Sequence, residues 1–204
     1  MDTTTKLNKP MLVGLYAPAA GSGKSEVAKV LNEDFGFAVV KFAGPLKDMA
    51  RGLLRSMGFD DDTVERMVEG DLKETVVPGF DTVTPRHLMQ TLGTDWGREA
   101  VDKDLWIKVA VARIQAYLAN GISVVVDDLR FPNEFKEITE LGGITVHLFR
   151  PNHTGNGSSR YEGLLDGYPF DHAIENAGTL DDLHYKTCRF VAVHKISCGR
   201  SSEW

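Results

Sequence analysis

Hydrophobic positions along the chain fall into two spacings. Short runs rich in β-branched or aromatic residues occupy positions 11–16, 38–42, 122–126 and 144–149. Their length and composition predict strands buried on both faces. Between them, apolar residues recur three and four apart, as on one face of a helix. Residues 25–35 carry Val27, Val30, Leu31 and Phe35 in this way, with Gly36 as the stop. Residues 45–58 place Leu46, Met49, Leu53, Leu54 and Met57 at helical spacing, opened by Pro45 and closed by Gly58. Further helices are predicted around 85–98, 103–119 and 132–141, the last ended by Gly142 and Gly143. Strands alternating with helices predict an α/β fold on a parallel sheet.

Two stretches break the alternation. Residues 60–84 are dominated by acidic and turn residues and read as an excursion from the core. Residues 151–170 mix Gly, Pro, Ser, Asn and His without periodicity, the composition of a mobile loop or lid. After it, Ala173 and Ile174 form a last short strand, and Thr179-Leu180-Asp181-Asp182 has the form of a capping box opening a helix over 180–188. The tail, 190–204, carries no motif.

Composition narrows the function classes. With 42% hydrophobic residues among 204, the chain can bury a core and is not disordered. Its length suits one domain with small inserted regions. Lys plus Arg number 23 against 29 Asp plus Glu, a net charge of −6. That balance argues against gripping a nucleic-acid polymer, which needs clustered positive charge. It leaves room for a small anion in a local basic pocket. Cys188 and Cys198 lack zinc-ligand spacing, so free thiols and no structural metal are expected. The first ten residues lack an apolar signal segment, and no run nears the ~18 apolar residues of a membrane span. A soluble cytoplasmic protein without membrane partners is expected.

The strongest local signal runs from Met11 to Ser25: a strand, the small-residue loop Ala17-Pro18-Ala19-Ala20-Gly21-Ser22-Gly23, then Lys24-Ser25 opening an amphipathic helix. This is the setting of a phosphate-binding P-loop. Small residues let consecutive N–H groups curl around phosphate oxygens, the helix start adds partial positive charge, and the lysine reaches the terminal phosphates. Pro18 stands where the first glycine of G-x-x-x-x-G-K-[ST] is usual. A plain Gly-rich turn is the blander reading, and the strand and helix on either side argue against it.

Three other segments carry candidate chemistry. Lys47, in Phe42-Ala43-Gly44-Pro45-Leu46-Lys47, falls in the first turn of a helix, where its ammonium and unpaired N–H groups can meet an anion; alone it would read as a solvated lysine. The stretch 84–98 mixes an apolar helical stripe with Arg86, Gln90, Thr94, Asp95, Trp96 and Arg98, and its Gly-Thr-Asp turn beside a tryptophan suits a nucleobase. Asp127-Asp128-Leu129-Arg130 follows a buried strand, where a carboxylate commonly serves the Mg²⁺ shell or orients the nucleophile.

Taken in order, these pieces resemble a known family. Gly-Ser-Gly-Lys, Phe-Ala-Gly-Pro-Leu-Lys-Asp, Arg-His-Leu-Met-Gln-Thr-Leu-Gly-Thr-Asp, Asp-Leu-Trp-Ile-Lys, Asp-Asp-Leu-Arg-Phe-Pro-Asn-Glu and Asn-Ala-Gly-Thr-Leu-Asp-Asp-Leu together resemble phage-type deoxynucleoside monophosphate kinases, over about residues 13–183. The resemblance implies a P-loop kinase fold of five parallel strands flanked by helices, with a nucleoside-monophosphate-binding insertion near 45–100 and a lid near 151–171. The implied reaction moves the γ-phosphoryl group of ATP to a dNMP with Mg²⁺. It assigns Gly21, Ser22, Gly23, Lys24, Ser25 and Glu26 to ATP, with Asn176 near the adenine. Leu46, Lys47, Arg86, Gly93, Thr94, Asp95 and Trp106 would surround the acceptor, and Asp128 and Arg130 would stand between the two nucleotides. Ser25 and Asp128 are the metal candidates. The family often has Asp directly after the P-loop lysine, and Ser25 restores the more general pattern. Arg150 or Arg160 would serve as the lid arginine.

Two rivals remain at this point: a dephospho-CoA kinase, which shares the core, and a regulatory P-loop protein without catalysis. A homodimer is a family-level expectation. Nucleic acid is excluded as a partner, while its monomers become the expected substrate.

Overall fold

The computed structural model describes residues 9–19, 21–151 and 163–197. The chain divides into two compact units: one runs to Val40 and resumes at Arg113, the other is the stretch Lys41–Ala112.

The first unit holds five strands: β1 (Leu12–Tyr16), β2 (Ala38–Val40), β3 (Val124–Val126), β4 (Ile144–Phe149) and β5 (His172–Glu175). They form one sheet in the order β2-β3-β1-β4-β5, parallel throughout. This is the five-stranded parallel α/β sheet of a P-loop kinase fold. Burial on both faces holds for β1 and β3 alone, where every residue is buried. The expectation fails for the edge strand β2, which exposes Val39, and in part for β4, where Ile144, His147 and Phe149 are only half-buried; the other edge, β5, buries only Ile174. Central strands of a parallel sheet are covered on both faces, whereas edge strands have one neighbour and partial cover.

Helix α1 (Lys24–Phe35) buries Val27, Ala28, Val30 and Leu31, and ends at Gly36, whose φ of 70° only glycine adopts readily. Helix α6 (Pro132–Glu140) buries Phe135 and Ile138. Helix α7 (Leu180–Ser197) opens on the expected reciprocal cap: Thr179 N donates to Asp182 Oδ2 at 2.8 Å, and Asp182 N to Thr179 Oγ1 at 3.2 Å. It does not stop at Cys188. Leu183, Thr187, Phe190 and Val191 form one buried helical stripe, and the last two complete the core of β1, β4 and α1. Thr187 hides the stripe in the sequence, because its hydroxyl spends itself on the Leu183 carbonyl at 2.8 Å and the residue packs as an apolar one.

The end of the Gly-rich stretch is anchored. Leu165 is fully buried, Asp166 accepts a 2.7 Å hydrogen bond from the Tyr16 hydroxyl, and Phe170 stacks on Tyr16 with ring centroids 5.2 Å apart. Arg160 lies outside the described residues.

The second unit contains α2 (Gly44–Ser56), α3 (Asp61–Val68), a 3₁₀ turn (Asp71–Glu74), α4 (Pro85–Thr91), a π-helical segment (Leu92–Val101) and the start of α5 (Leu105–Ala119), within which the boundary falls. Residues 60–84 thus belong to this unit and not to that of the sheet, and they contribute to its core. Val64, Met67, Val68 and Val77 join Ala50 and Leu54 in a hydrophobic cluster of this unit's own. On α2, the predicted apolar face splits in two. Leu54 is buried with Pro45 and Ala50, while Met49, Leu53 and Met57 are exposed, since 46-50-54 and 49-53-57 are separate stripes and the small Ala50 marks the packed one.

Candidate active site

In the first unit, the loop after β1 is shaped by backbone rather than side chains. Gly21 and Gly23 have φ of 78° and 101°, the left-handed region that glycine tolerates. A Cβ on Gly23 would lie 2.7 Å from Asn176 Nδ2 and 3.0 Å from Leu183 Cδ2. Ser22 is buried and its hydroxyl donates to the Ala19 carbonyl at 2.8 Å. From the end of β5, Asn176 Nδ2 donates to the Ser22 carbonyl at 3.1 Å, so Asn176 ties down the loop. Lys24 leans back over the loop toward the Ala17 carbonyl at 3.5 Å, and Ser25 and Glu26 occupy the first turn of α1.

The neighbouring strand end brings the acids. β3 pairs with β1, Val126 opposite Gly14, so Asp127 and Asp128 leave the sheet at the same carboxyl edge as the P-loop. The connection after β1 leads toward β2 and that after β3 leads the other way, to β4. Between such diverging connections lies the ligand crevice of an open parallel sheet. Asp127 is buried and Asp128 half-buried. The sequence offers both carboxylates and the resemblance selects Asp128; Asp127, the first residue beyond the strand, is the more enclosed of the two. The following turn is fixed by Glu134, itself 2% exposed, whose Oε2 accepts from the backbone N–H groups of Arg130 at 2.9 Å and Phe131 at 3.1 Å. Arg130 is thereby held at the turn with its side chain exposed. The Ser25 hydroxyl and the two carboxylates are hard oxygen donors, a set that suits Mg²⁺.

In the second unit, three predicted residues converge. Gly93 lies against Leu46, and its carbonyl accepts from Trp106 Nε1 at 2.8 Å. Trp106 is 4% exposed and its ring fills the space beside Gly97, where a Cβ would come within 2.6 Å. Trp106 is therefore a packing residue under the π-helical segment that carries Gly93, Thr94 and Asp95. The more accessible indole is Trp96, 6.1 Å away between centroids. A ten-residue π-helical stretch is unusual, and such widenings concentrate at functional sites.

Lys47 and Arg86 are engaged by carboxylates of the same unit. Lys47 Nζ donates to both oxygens of Glu69 at 2.8 and 2.9 Å, and Arg86 pairs with Glu74. Glu69 also accepts from Arg51 at 3.2 Å and faces Lys73 at 3.8 Å. Burial alone would push the Glu69 carboxyl up, but the Lys47 hydrogen bond and the charges of Lys47, Lys73 and Arg51 hold it below the usual range.

A family model for deoxynucleotide monophosphate kinase matches residues 52–187. The chain belongs to the deoxynucleotide monophosphate kinase family. The match covers most of the second unit and both carboxylates after β3. A protein of Acanthamoeba polyphaga mimivirus, provisionally named a deoxynucleotide monophosphate kinase, is 28% identical over 184 residues, 85% of this chain and 92% of that one. The deoxynucleotide monophosphate kinases of Escherichia phage RB69 and Enterobacteria phage T4 are 28% and 29% identical over 116 and 107 residues. The chain spans about half the length of those two phage relatives, 48% and 44%. Among solved structures, dephospho-CoA kinase from Campylobacter jejuni aligns over 90% of this chain and 97% of its own, with 14% identity and a TM-score of 0.49. As a member of the deoxynucleotide monophosphate kinase family the chain is a nucleotide kinase. Among the described residues no helix is long and apolar enough to cross a membrane.

Proposed function

We propose that the protein transfers the γ-phosphoryl group of ATP to a deoxynucleoside 5′-monophosphate, yielding ADP and the deoxynucleoside diphosphate. An oxygen of the acceptor phosphate attacks the γ-phosphorus as the bond from that phosphorus to the β,γ-bridging oxygen breaks, and ADP leaves with the electron pair. The observation that carries this reading is the P-loop after β1 beside the paired carboxylates after β3, in a chain of this family.

Phosphoryl transfer asks the protein mainly for alignment and charge neutralisation. The N–H groups of the loop 21–25 cradle the phosphates of ATP, and Lys24 neutralises its terminal phosphates. Asn176 keeps the loop in its receptive shape. Ser25 with Asp127 or Asp128 would hold Mg²⁺, which when bound neutralises charge on the transferring phosphates. Lys47 and Arg86 bind the acceptor phosphate, and Gly93, Thr94 and Asp95, carried on the π-helical segment, bound its nucleoside. Trp106 acts from beneath as a positioning residue. In this reading 41–112 is the acceptor-binding region.

ADP release measured with dTMP, dGMP, dCMP, dAMP and dephospho-CoA as acceptors tests the proposal. Turnover stimulated by one or more dNMPs is expected. Stimulation by dephospho-CoA alone, or ATP hydrolysis indifferent to every acceptor, would overturn it.

A further inference from the structure

The second unit holds a third cation beside the two already assigned to the acceptor. Lys73 sits in the 3₁₀ turn that follows α3, next to Leu72, which packs on the unit's core. Its ammonium is 3.8 Å from Glu69 Oε2, the carboxylate that Lys47 grips through both oxygens. At that distance it is attracted but not hydrogen-bonded. Among the described residues nothing accepts a hydrogen bond from it, although only 26% of its side chain is exposed. Burial lowers its affinity for a proton; Glu69 restores some of it, and the positive charges of Lys47 and Arg86 lower it again. Arg86 reaches the same 3₁₀ turn through its pair with Glu74, the residue after Lys73.

The arrangement is out of balance in a particular way. One carboxylate, Glu69, stands before Lys47, Arg51 and Lys73, and Arg51 is already bound through two nitrogens to Glu65 at 2.7 and 3.0 Å. Arg51–Glu65 and Arg55–Asp61 clamp α2 to α3, which leaves Lys47 and Lys73 as half-buried cations before Glu69, with Glu74, the partner of Arg86, a weaker attraction on Lys73. A phosphate monoester carries nearly two negative charges at neutral pH and three acceptor oxygens. It matches two ammoniums and a guanidinium better than a carboxylate does.

We infer that Lys73 completes, with Lys47 and Arg86, a site for the 5′-phosphate of the acceptor nucleotide, and that Glu69 stands in for that phosphate when the site is empty. The inference rests on the proposed function for the identity of the nucleotide, and on geometry within one unit for the phosphate. Gly70 supports the arrangement: a Cβ there would lie 2.9 Å from Arg66 Cα, so glycine lets the chain turn sharply after Glu69 and bring Lys73 back beside it.

The test compares the full-length protein with Lys73→Met and Glu69→Gln by calorimetric titration with dTMP, dGMP, dCMP, dAMP, the matching deoxynucleosides and inorganic phosphate, alongside the kinase assay. Removing one charged contact to the phosphate should weaken binding of the preferred dNMP about tenfold or more, with the deoxynucleoside, the ATP KM and the melting temperature unmoved. Glu69→Gln, which removes the competing charge, should tighten the dNMP. A Lys73→Met protein that binds the dNMP within twofold of the parent overturns the site, and a Glu69→Gln protein that binds it more weakly overturns the stand-in role. The kinase reading fails separately: a parent that binds phosphate monoesters through Lys73 yet transfers nothing to them keeps the site and loses the reaction, while a parent that binds none of the probes overturns the site itself.

Discussion

Trp106 Nε1 donates a 2.8 Å hydrogen bond to the carbonyl of Gly93, and the same indole lies against the α-carbon of Gly97. One buried ring thus meets the π-helical segment at two points, and Thr94, Asp95 and Trp96 lie between them.

Trp106→Phe keeps an aromatic ring but removes the hydrogen bond to the Gly93 carbonyl, a loss of about 0.5–1.5 kcal/mol. It is expected to lower the melting temperature and to raise the dNMP KM while leaving the ATP KM in place. Gly97→Ala should do the same from the other side, since its methyl group would overlap the ring; overpacking of this kind costs about 1–3 kcal/mol. Steady-state kinetics with each substrate varied in turn decides it, and an equal rise in both KM values would count against the assignment.

Gly23→Ala asks an alanine to adopt a φ of 101° while meeting the Asn176 amide. ATP binding is expected to be lost, measured as disappearance of nucleotide-dependent stabilisation in thermal melts. Asn176→Ala frees the loop without filling it, so a rise of several-fold in ATP KM is expected with little change in the dNMP KM. An Asn176→Ala enzyme with the parent's ATP KM would contradict its tethering role.

Lys24→Ala should abolish transfer with the fold intact by circular dichroism. Lys47→Ala should raise the dNMP KM far more than the ATP KM. Appreciable turnover in the first variant, or equal effects in the second, would be incompatible with the roles proposed.

Asp127 and Asp128 are adjacent but differently enclosed, and Asn substitutions separate them. The buried Asp127 is expected to show the larger drop in kcat for Asp→Asn, with a raised Mg²⁺ requirement. A kcat at the parent level in Asp127→Asn would return the role to Asp128.

Acidification should weaken the first unit. Burial holds the imidazoles of His147, His172 and His194 below the usual histidine value of 6.5; Asp166 and Asp171 oppose this at His147 and His194, and His194 adds to it at His172. The folded state therefore keeps them neutral where the unfolded chain takes up protons. Stability is full above about pH 7 and falls as pH drops through the unfolded value of about 6.5 toward the lower folded values. Melting temperatures at pH 7.5 and 5.5 check this, and His172→Phe, which keeps the stacking on Phe190, should flatten the dependence. A melting temperature unchanged between the two values would exclude it.

What was legible in the sequence was what is local. β1, the P-loop and α1 lie end to end, and their apolar runs, small residues and stop glycine act on immediate neighbours. α3 was hidden because Asp60, Asp61, Asp62, Glu65 and Glu69 mask its buried Val64, Met67 and Val68. Asp60 caps the helix locally, but Asp61 and Glu65 acquire their meaning from Arg55 and Arg51 of α2, and Glu69 from Lys47. Asn176 was read as a nucleotide contact, and its bond to the Ser22 carbonyl depends on β5 ending beside the loop. Lys73 was passed over for the same reason: nothing near it in sequence marks it, and its meaning comes from Lys47 across the fold.

The placement of Phe190 and Val191 in the core of β1, β4 and α1 bears on how the protein is made. The second unit is one continuous stretch ending at Ala112, with its own cluster of buried side chains, and it can close on itself as soon as it leaves the ribosome. The first unit cannot. Its central strand β1 precedes the second unit, whereas the residues that seal it follow that unit and three further strands. β1 must therefore wait, its apolar face uncovered, until α7 has been made.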